Sequence, residues 1–360
     1  MKTEIPIMFG FDNNYVIPAA VAFYSLLEHA NKKYDYKIYA LHSDITLENQ
    51  EKLRETIAEF ADFSTLEFVD MSDKYDELWS QMHIKGHFTK ETIYKILTAS
   101  IFPRLPKLIT SDVDVVFLDD VSESYFALDT TEDIYLAGVH IVGKIIPYYD
   151  NYKENYTEEE IEKVKSLCGG FLVVNLDKFR KDKMEEKFIQ FFKDNAYRIN
   201  QAEQDVLNLC CYPKTKKLPL RYIACTYLWD FYKTPDDFKN DAYYTETELQ
   251  GAMDHPIQLH YATSVKPWKN VECTKSEEWF KYLVKTPFLQ EFLQGLPYKI
   301  IIPKPVNRSK IRALLYRIKA IVVYVYKKPL FFLGADFYHK LFKKISKRMN
   351  KETIVHEDDK

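Results

Sequence analysis

Residues Ser111 to Phe117 read Ser-Asp-Val-Asp-Val-Val-Phe, so two carboxylates, Asp112 and Asp114, stand one residue apart in an otherwise apolar run. Side chains alternate along an extended chain, which puts both aspartates on one face. An unpaired charge left inside an apolar strand costs several kcal/mol. If the pair leaves the strand at its end, both groups can reach a divalent cation. Hard oxygen ligands suit Mn2+ or Mg2+, and such an ion can bridge to a diphosphate. The triplet alone also fits two solvated carboxylates in a turn.

The elements around this triplet suggest how it is positioned. Ile5 to Phe11 reads as a buried strand ending in the polar turn Asp12-Asn13-Asn14. Val16 to His29 is an apolar, small-residue helix with Pro18 in its first turn. A strand over 36–43, a helix over 43–60 capped by Ser43, Asp44 or Thr46, and a strand over 66–71 follow. This alternation predicts a parallel sheet with helices on its faces, whose ligands sit at the carboxyl ends of the strands. A helix over 90–102 precedes the Asp-x-Asp segment. Beyond it come a buried strand over 169–176, one amphipathic helix over 178–195, a helix over 202–211 and a short strand at 258–261.

The chain has 360 residues, 46% of them apolar, enough for a sizeable core. Its five cysteines, Cys168, Cys210, Cys211, Cys225 and Cys273, show no CxxC spacing, which points to a reducing compartment. No basic segment followed by a long apolar one opens the sequence, so no signal peptide is expected. No apolar run reaches the roughly 18 residues of a membrane span.

The order "apolar strand, Asp-x-Asp, apolar pair, Phe117-Leu118-Asp119-Asp120" resembles the metal site of glycosyltransferase family 8, which includes bacterial lipopolysaccharide galactosyl- and glucosyltransferases. The likeness runs in order over roughly the first 270 residues. Phe9-Gly10-Phe11-Asp12-Asn13-Asn14-Tyr15 looks like the family's nucleotide-binding turn, with Asp12 and Asn14 at the uracil and ribose positions. Lys95 falls where the family carries an arginine facing the donor. Cys168-Gly169-Gly170 followed by an apolar strand, Glu203-Gln204-Asp205, and His260 to Trp268 with Thr263 and Lys266 complete the series. The resemblance implies a GT-A type α/β fold, a Rossmann-like mixed sheet flanked by helices, over residues 1–275. It implies metal ligation by Asp112, Asp114 and His260, and donor contacts from Gly10, Asp12, Asn14, Lys95, Asp112, Cys168, Gly169, Thr263 and Lys266. Gln204 and Glu203 are the implied residues beside the reacting sugar.

The implied reaction moves a hexose, glucose or galactose first, from a UDP-sugar to an oligosaccharide or lipid-linked acceptor such as lipopolysaccharide or capsule, with retention at the anomeric carbon. A cation and a lysine at the diphosphate would stabilise the charge of the leaving group. Cys168 replaces an asparagine, Glu203 an aspartate and Thr263 a glycine of the family pattern. These departures keep a catalytically weak, membrane-associated glycan-binding protein in view. A sugar-nucleotide hydrolase is the other alternative, although no Gly-x-x-x-x-Gly-Lys phosphate loop is present.

Charge divides the chain. Residues 299–351 carry 15 Lys or Arg against the single acid Asp336, while residues 1–298 are net acidic. Within region 276–360, residues 310–322 and 337–347 place apolar stripes between basic flanks, the pattern of helices lying on an anionic bilayer. The expectation is a cytoplasmic protein held at the inner face of the inner membrane by this appendage. No nucleic-acid motif accompanies the charge, so no nucleic-acid partner is expected.

Overall fold

The computed structural model describes residues 2–72, 76–82, 90–143, 153–239, 241 and 243–295. The chain divides into one compact unit, Met1–Phe292, and a second, Leu293–Lys360. The basic segments at 310–322 and 337–347 lie outside the described residues. Among the described residues, no helix is long and apolar enough to cross a membrane.

Among the described residues, ten strands form two sheets. β1 (Glu4–Gly10), β2 (Asp35–His42), β3 (Ser64–Asp70), β4 (Lys107–Ser111), β6 (Leu136–Gly138), β7 (Phe171–Asn175) and β8 (Thr215–Lys217) make a seven-stranded sheet in the order β3-β2-β1-β4-β7-β6-β8. β5 (Val115–Phe117), β9 (Ala224–Cys225) and β10 (Gln258–His260) make a small one in the order β5-β10-β9. β3, β2, β1 and β4 run parallel, as the early strand–helix alternation requires. β7 is antiparallel to β4 and β6, so the sheet is mixed. Its central strands are buried on both faces, β7 along its whole length, which explains their near-continuous apolar sequence.

Helix Val16–Glu28 is apolar nearly all round and is buried from Val16 to Leu27 apart from Ile17. Such a helix must lie inside the core rather than on the surface. Thr46 caps helix Leu47–Ile57 by accepting a hydrogen bond from Asn49 N.

Three expectations need correction. Residues Lys90–Leu97 form a 3-10 helix and only Thr98–Ile101 an α-helix. The segment read as one helix over 178–195 is two, Leu176–Lys181 and Met184–Asn195, because Lys183 takes a left-handed φ of 52°. Local periodicity could not reveal either break. The compact unit also runs to Phe292 rather than stopping near 275. Trp279, Tyr282 and Leu283 of helix Ser276–Leu283 are fully buried, and Tyr282 hydroxyl meets His29 Nε2 at 2.8 Å.

Candidate metal and donor site

The Asp-x-Asp triplet sits where the chain leaves one sheet for the other. β4 ends at Ser111 and β5 begins at Val115, so Asp112 and Asp114 occupy the turn between them. Both carboxylates therefore escape the core while their neighbours stay in it. Backbone bonds fix the turn from two sides: Asp112 N donates to Gly170 O (3.1 Å) and Tyr261 N to Asp114 O (2.9 Å). β10 pairs with β5 with His260 opposite Val115, which brings the imidazole beside Asp114.

His260 Nε2 lies 3.4 Å from Asp112 Oδ2 and 3.2 Å from Asp114 Oδ1. One ligand atom from each of the three residues falls within 4.8 Å of the others. The second oxygen of each carboxylate is held by a lysine. Lys95 Nζ donates to Asp112 Oδ1 and Lys266 Nζ to Asp114 Oδ2, each at 2.5 Å. The lysines thus turn the remaining oxygens toward His260 and a common point. Two carboxylate oxygens and one imidazole nitrogen suit a hard divalent cation, so the residues present fit the ion that the triplet suggested.

Burial and charge work against each other here. Burial alone would lower the His260 pKa, but Asp114 outweighs it and raises the ring to about 10. Asp114 is raised by burial yet held well below the carboxylate range by His260 and Lys266. Burial would discharge Lys95, and Asp112 and Glu203 hold its pKa up instead. A cation at this point must displace the His260 proton. Mn2+ affinity should therefore rise about tenfold per pH unit between pH 6 and 8. Isothermal titration across that range checks it, and a flat profile would remove His260 from the ligand set.

Lys95 also donates to Gly169 O (2.9 Å) and Glu203 Oε1 (3.3 Å). Gln204 Oε1 accepts from Gly169 N at 2.7 Å. Glu203 is buried, and desolvation, opposed by Lys95, pushes its pKa from 4.5 up to about 7. Between those values the unfolded chain has lost this proton while the folded chain keeps it. Stability should fall as pH rises through that window, by on the order of 3 kcal/mol at most. Denaturant melts at pH 5 and pH 8 should show this slope in the wild type and a smaller one in Glu203→Gln. Equal slopes in the two proteins would sink the assignment.

Asp12 accepts hydrogen bonds from the backbone and side-chain nitrogens of Asn14, folding the turn after β1. Gly10 is held small by packing, since a Cβ there would stand 3.0 Å from Glu91 O. Thr263 bonds within its own loop, through Val265. Cys168 precedes Gly169, and the influence of Cys225 and His260 holds its thiol well below the ordinary range despite burial. Its Cys225 partner is pushed well up.

Two participants escaped the sequence reasoning. Burial raises the Tyr15 pKa, against Lys266 and together with Asp114, Asp12 and Asp112, and its ring meets Trp268 edge-on at 5.9 Å. Cys225 Sγ lies 3.9 Å from His260 Nδ1, on the side of the ring away from the aspartates. No local spacing could have signalled Cys225, because strand pairing alone sets it beside His260.

Residues 6–272 match the profile of "Glycosyl transferase family 8". The chain is 26% identical over 281 residues to general stress protein A of Bacillus subtilis, covering 76% of this chain and 91% of that one. It is 25% identical over 317 residues to lipopolysaccharide 1,2-glucosyltransferase of Escherichia coli, covering 87% and 86%. Among solved structures, galactosyltransferase LgtC in complex with donor and acceptor sugar analogues superposes with a TM-score of 0.61 at 16% identity, covering 81% of this chain and 99% of LgtC. The WbbM bifunctional glycosyltransferase superposes with a TM-score of 0.63 at 20% identity; the match covers 82% of this chain but only 52% of WbbM. At such identities the structural matches establish the fold, which is GT-A. The profile match over most of the chain establishes more: this protein belongs to glycosyltransferase family 8.

Proposed function

We propose that the protein transfers a hexose from a UDP-sugar to a surface-glycan acceptor, with retention of anomeric configuration. The observation that carries this reading is the convergence of Asp112, Asp114 and His260 with Lys266 beside them. A divalent ion bound there would neutralise charge on the diphosphate as the leaving group departs. Lys266 supplies a second positive charge for the same purpose. Asp12, Asn14 and Tyr15 form the turn suited to the nucleoside, and Glu203 with Lys95 offers polar atoms to the sugar hydroxyls.

The residues on the sugar side favour a front-face reaction. The Gln204 amide oxygen is already engaged by Gly169 N. Glu203 is tied to Lys95 and keeps its proton to about pH 7. Neither is a free carboxylate nucleophile, so the departing phosphate oxygen is the base left to take the acceptor's proton.

The kinship with a lipopolysaccharide glucosyltransferase supports glucose as the first donor to try. UDP release across a panel of UDP-sugars and acceptors, with Mn2+ and with EDTA, tests the proposal. Acceptor-dependent release with one UDP-hexose, lost in EDTA and restored by Mn2+, is the expected result. Release that ignores both acceptor and chelator would favour a hydrolase instead. The charge of residues 299–351 supports attachment to an anionic membrane surface on the cytoplasmic side. Full-length protein should float with anionic vesicles and not with neutral ones.

A further inference from the structure

Two polar side chains beside the metal cluster are fully buried. Ser111 closes β4 and Gln258 opens β10, and neither shows any surface to solvent. Gln258 Nε2 donates to Ser111 Oγ at 2.9 Å, although the two residues are 147 positions apart in sequence. Ser111 Oγ in turn donates to Asp112 O at 2.9 Å. Gln258 Oε1 is buried as well, and among the described residues it meets no hydrogen-bond donor. An unpaired buried acceptor lowers stability, whereas an apolar pair of the same shape can be neutral or stabilising. As core filling alone, this pair is a poor choice.

We propose that Gln258 and Ser111 are positioning residues for the cation site: their hydrogen bond fixes the turn at 112–114 against β10, at the spacing that metal binding needs. Gln258 and His260 stand two residues apart on one strand, so both side chains project from the same face. Each reaches the end of β4, Gln258 at Ser111 and His260 at Asp112 and Asp114. The Gln258 bond thus sets the separation of the two segments one pleat away from the imidazole. It also acts on Asp112 itself. Ser111 Oγ donates to Asp112 O and Asp112 N donates to Gly170 O, so the backbone of this ligand is held on both sides.

Hydrogen bonds are directional, and apolar packing is not. Without this pair the strands would still be joined by the ladder of β5 and β10 and by buried Val116 and Leu259. The Asp112 carbonyl, however, would lose the hydroxyl that turns it. Loss of the outer partners of metal ligands typically costs 10–100-fold in affinity. A bond one residue removed from the ligands belongs at the low end of that range.

The proposal rests on the metal-site reading above, so one of its readouts needs no metal. Full-length Gln258→Met, Ser111→Ala and the double variant are compared with wild type by thermal melts, by calorimetric Mn2+ titration and by amide hydrogen exchange without Mn2+. Ser111→Ala strands the Gln258 amide and should melt at a lower temperature. Gln258→Met and the double variant leave no stranded amide and should melt near wild type. Mn2+ affinity should nonetheless be about tenfold weaker in all three. The double variant should bind no more than about twofold more weakly than Ser111→Ala, because a single bond is lost in each. Amides of Asp112 and Tyr261, which hold the turn, should exchange faster in Gln258→Met than in wild type. A packing role alone predicts affinity and exchange that follow the melting temperature. Mn2+ affinity within twofold of wild type in Gln258→Met and the double variant, or loss of affinity only where the melting temperature falls, would overturn the proposal. If wild type binds no Mn2+, the metal-site reading fails by itself. Exchange then decides the positioning: faster exchange at the two amides upholds it, and unchanged exchange overturns it.

Discussion

Asp114→Asn is expected to abolish Mn2+ binding measurable at millimolar concentrations and to lower transferase turnover by about a thousandfold or more. Asp114 is the hub of the cluster: one oxygen faces His260 Nε2 and the other holds Lys266. An amide loses the charge that attracts the cation. Its nitrogen would also point a donor at one of two groups that are themselves donors. Cation stabilisation of a departing diphosphate is worth several kcal/mol, and each 1.36 kcal/mol is a factor of ten in rate. The variant also strands a half-buried lysine and a buried imidazole, a loss of up to about 3–5 kcal/mol for a broken buried pair. Lost activity must therefore be read beside a thermal melt. If the folded fraction is intact and turnover falls less than tenfold, the cluster is not where the diphosphate is bound.

Gly170→Ala is the second large effect, and it needs no change of charge. The new Cβ would fall 2.6 Å from His260 Cε1, 2.7 Å from Nδ1 and 3.3 Å from Asp112 Oδ2. Neither the buried ring nor the backbone can yield cheaply, since Asp112 N donates to Gly170 O and His260 is paired into β10. Overpacking of this kind costs about 1–3 kcal/mol. A displaced His260 should lower Mn2+ affinity by about 10–100-fold. Gly169→Ala is the matched comparison, because its Cβ would meet Gln204 at 3.4 Å and Glu203 Oε1 at 3.5 Å, ordinary contact distances. It should leave metal affinity nearly unchanged and act, if at all, on sugar transfer. Equal Mn2+ affinities in the two variants would show that His260 does not depend on the space above its ring.

Both substitutions probe features of very different legibility. The Asp-x-Asp triplet could be read directly, because carboxylates inside an apolar run demand an explanation wherever they occur. The first parallel strands and helix Val16–Glu28 were legible for a related reason: periodicity and caps are written among neighbouring residues. Lys183 and the 3-10 turn at Lys90–Leu97 were not, since a left-handed residue or a tightened helix leaves the apolar pattern almost unchanged. The burial of Trp279 and Tyr282 was missed because the motif series ends before them, although their packing against the first helix belongs to the same core.

The sequence by itself determined the chemistry on offer, namely two hard carboxylates, one imidazole, a family-like order of turns and lysines, and an acidic body followed by a basic tail. Tertiary structure alone decided how those groups are used. Pairing of β5 with β10 brings His260 to the aspartates, and two lysines from separate segments take one oxygen of each carboxylate. Pairing of β9 with β10 sets Cys225 behind the same ring. Neighbours along the chain encode periods and caps. Contacts between distant segments depend on which strands pair and in what register, and that is settled by burial of the whole core at once.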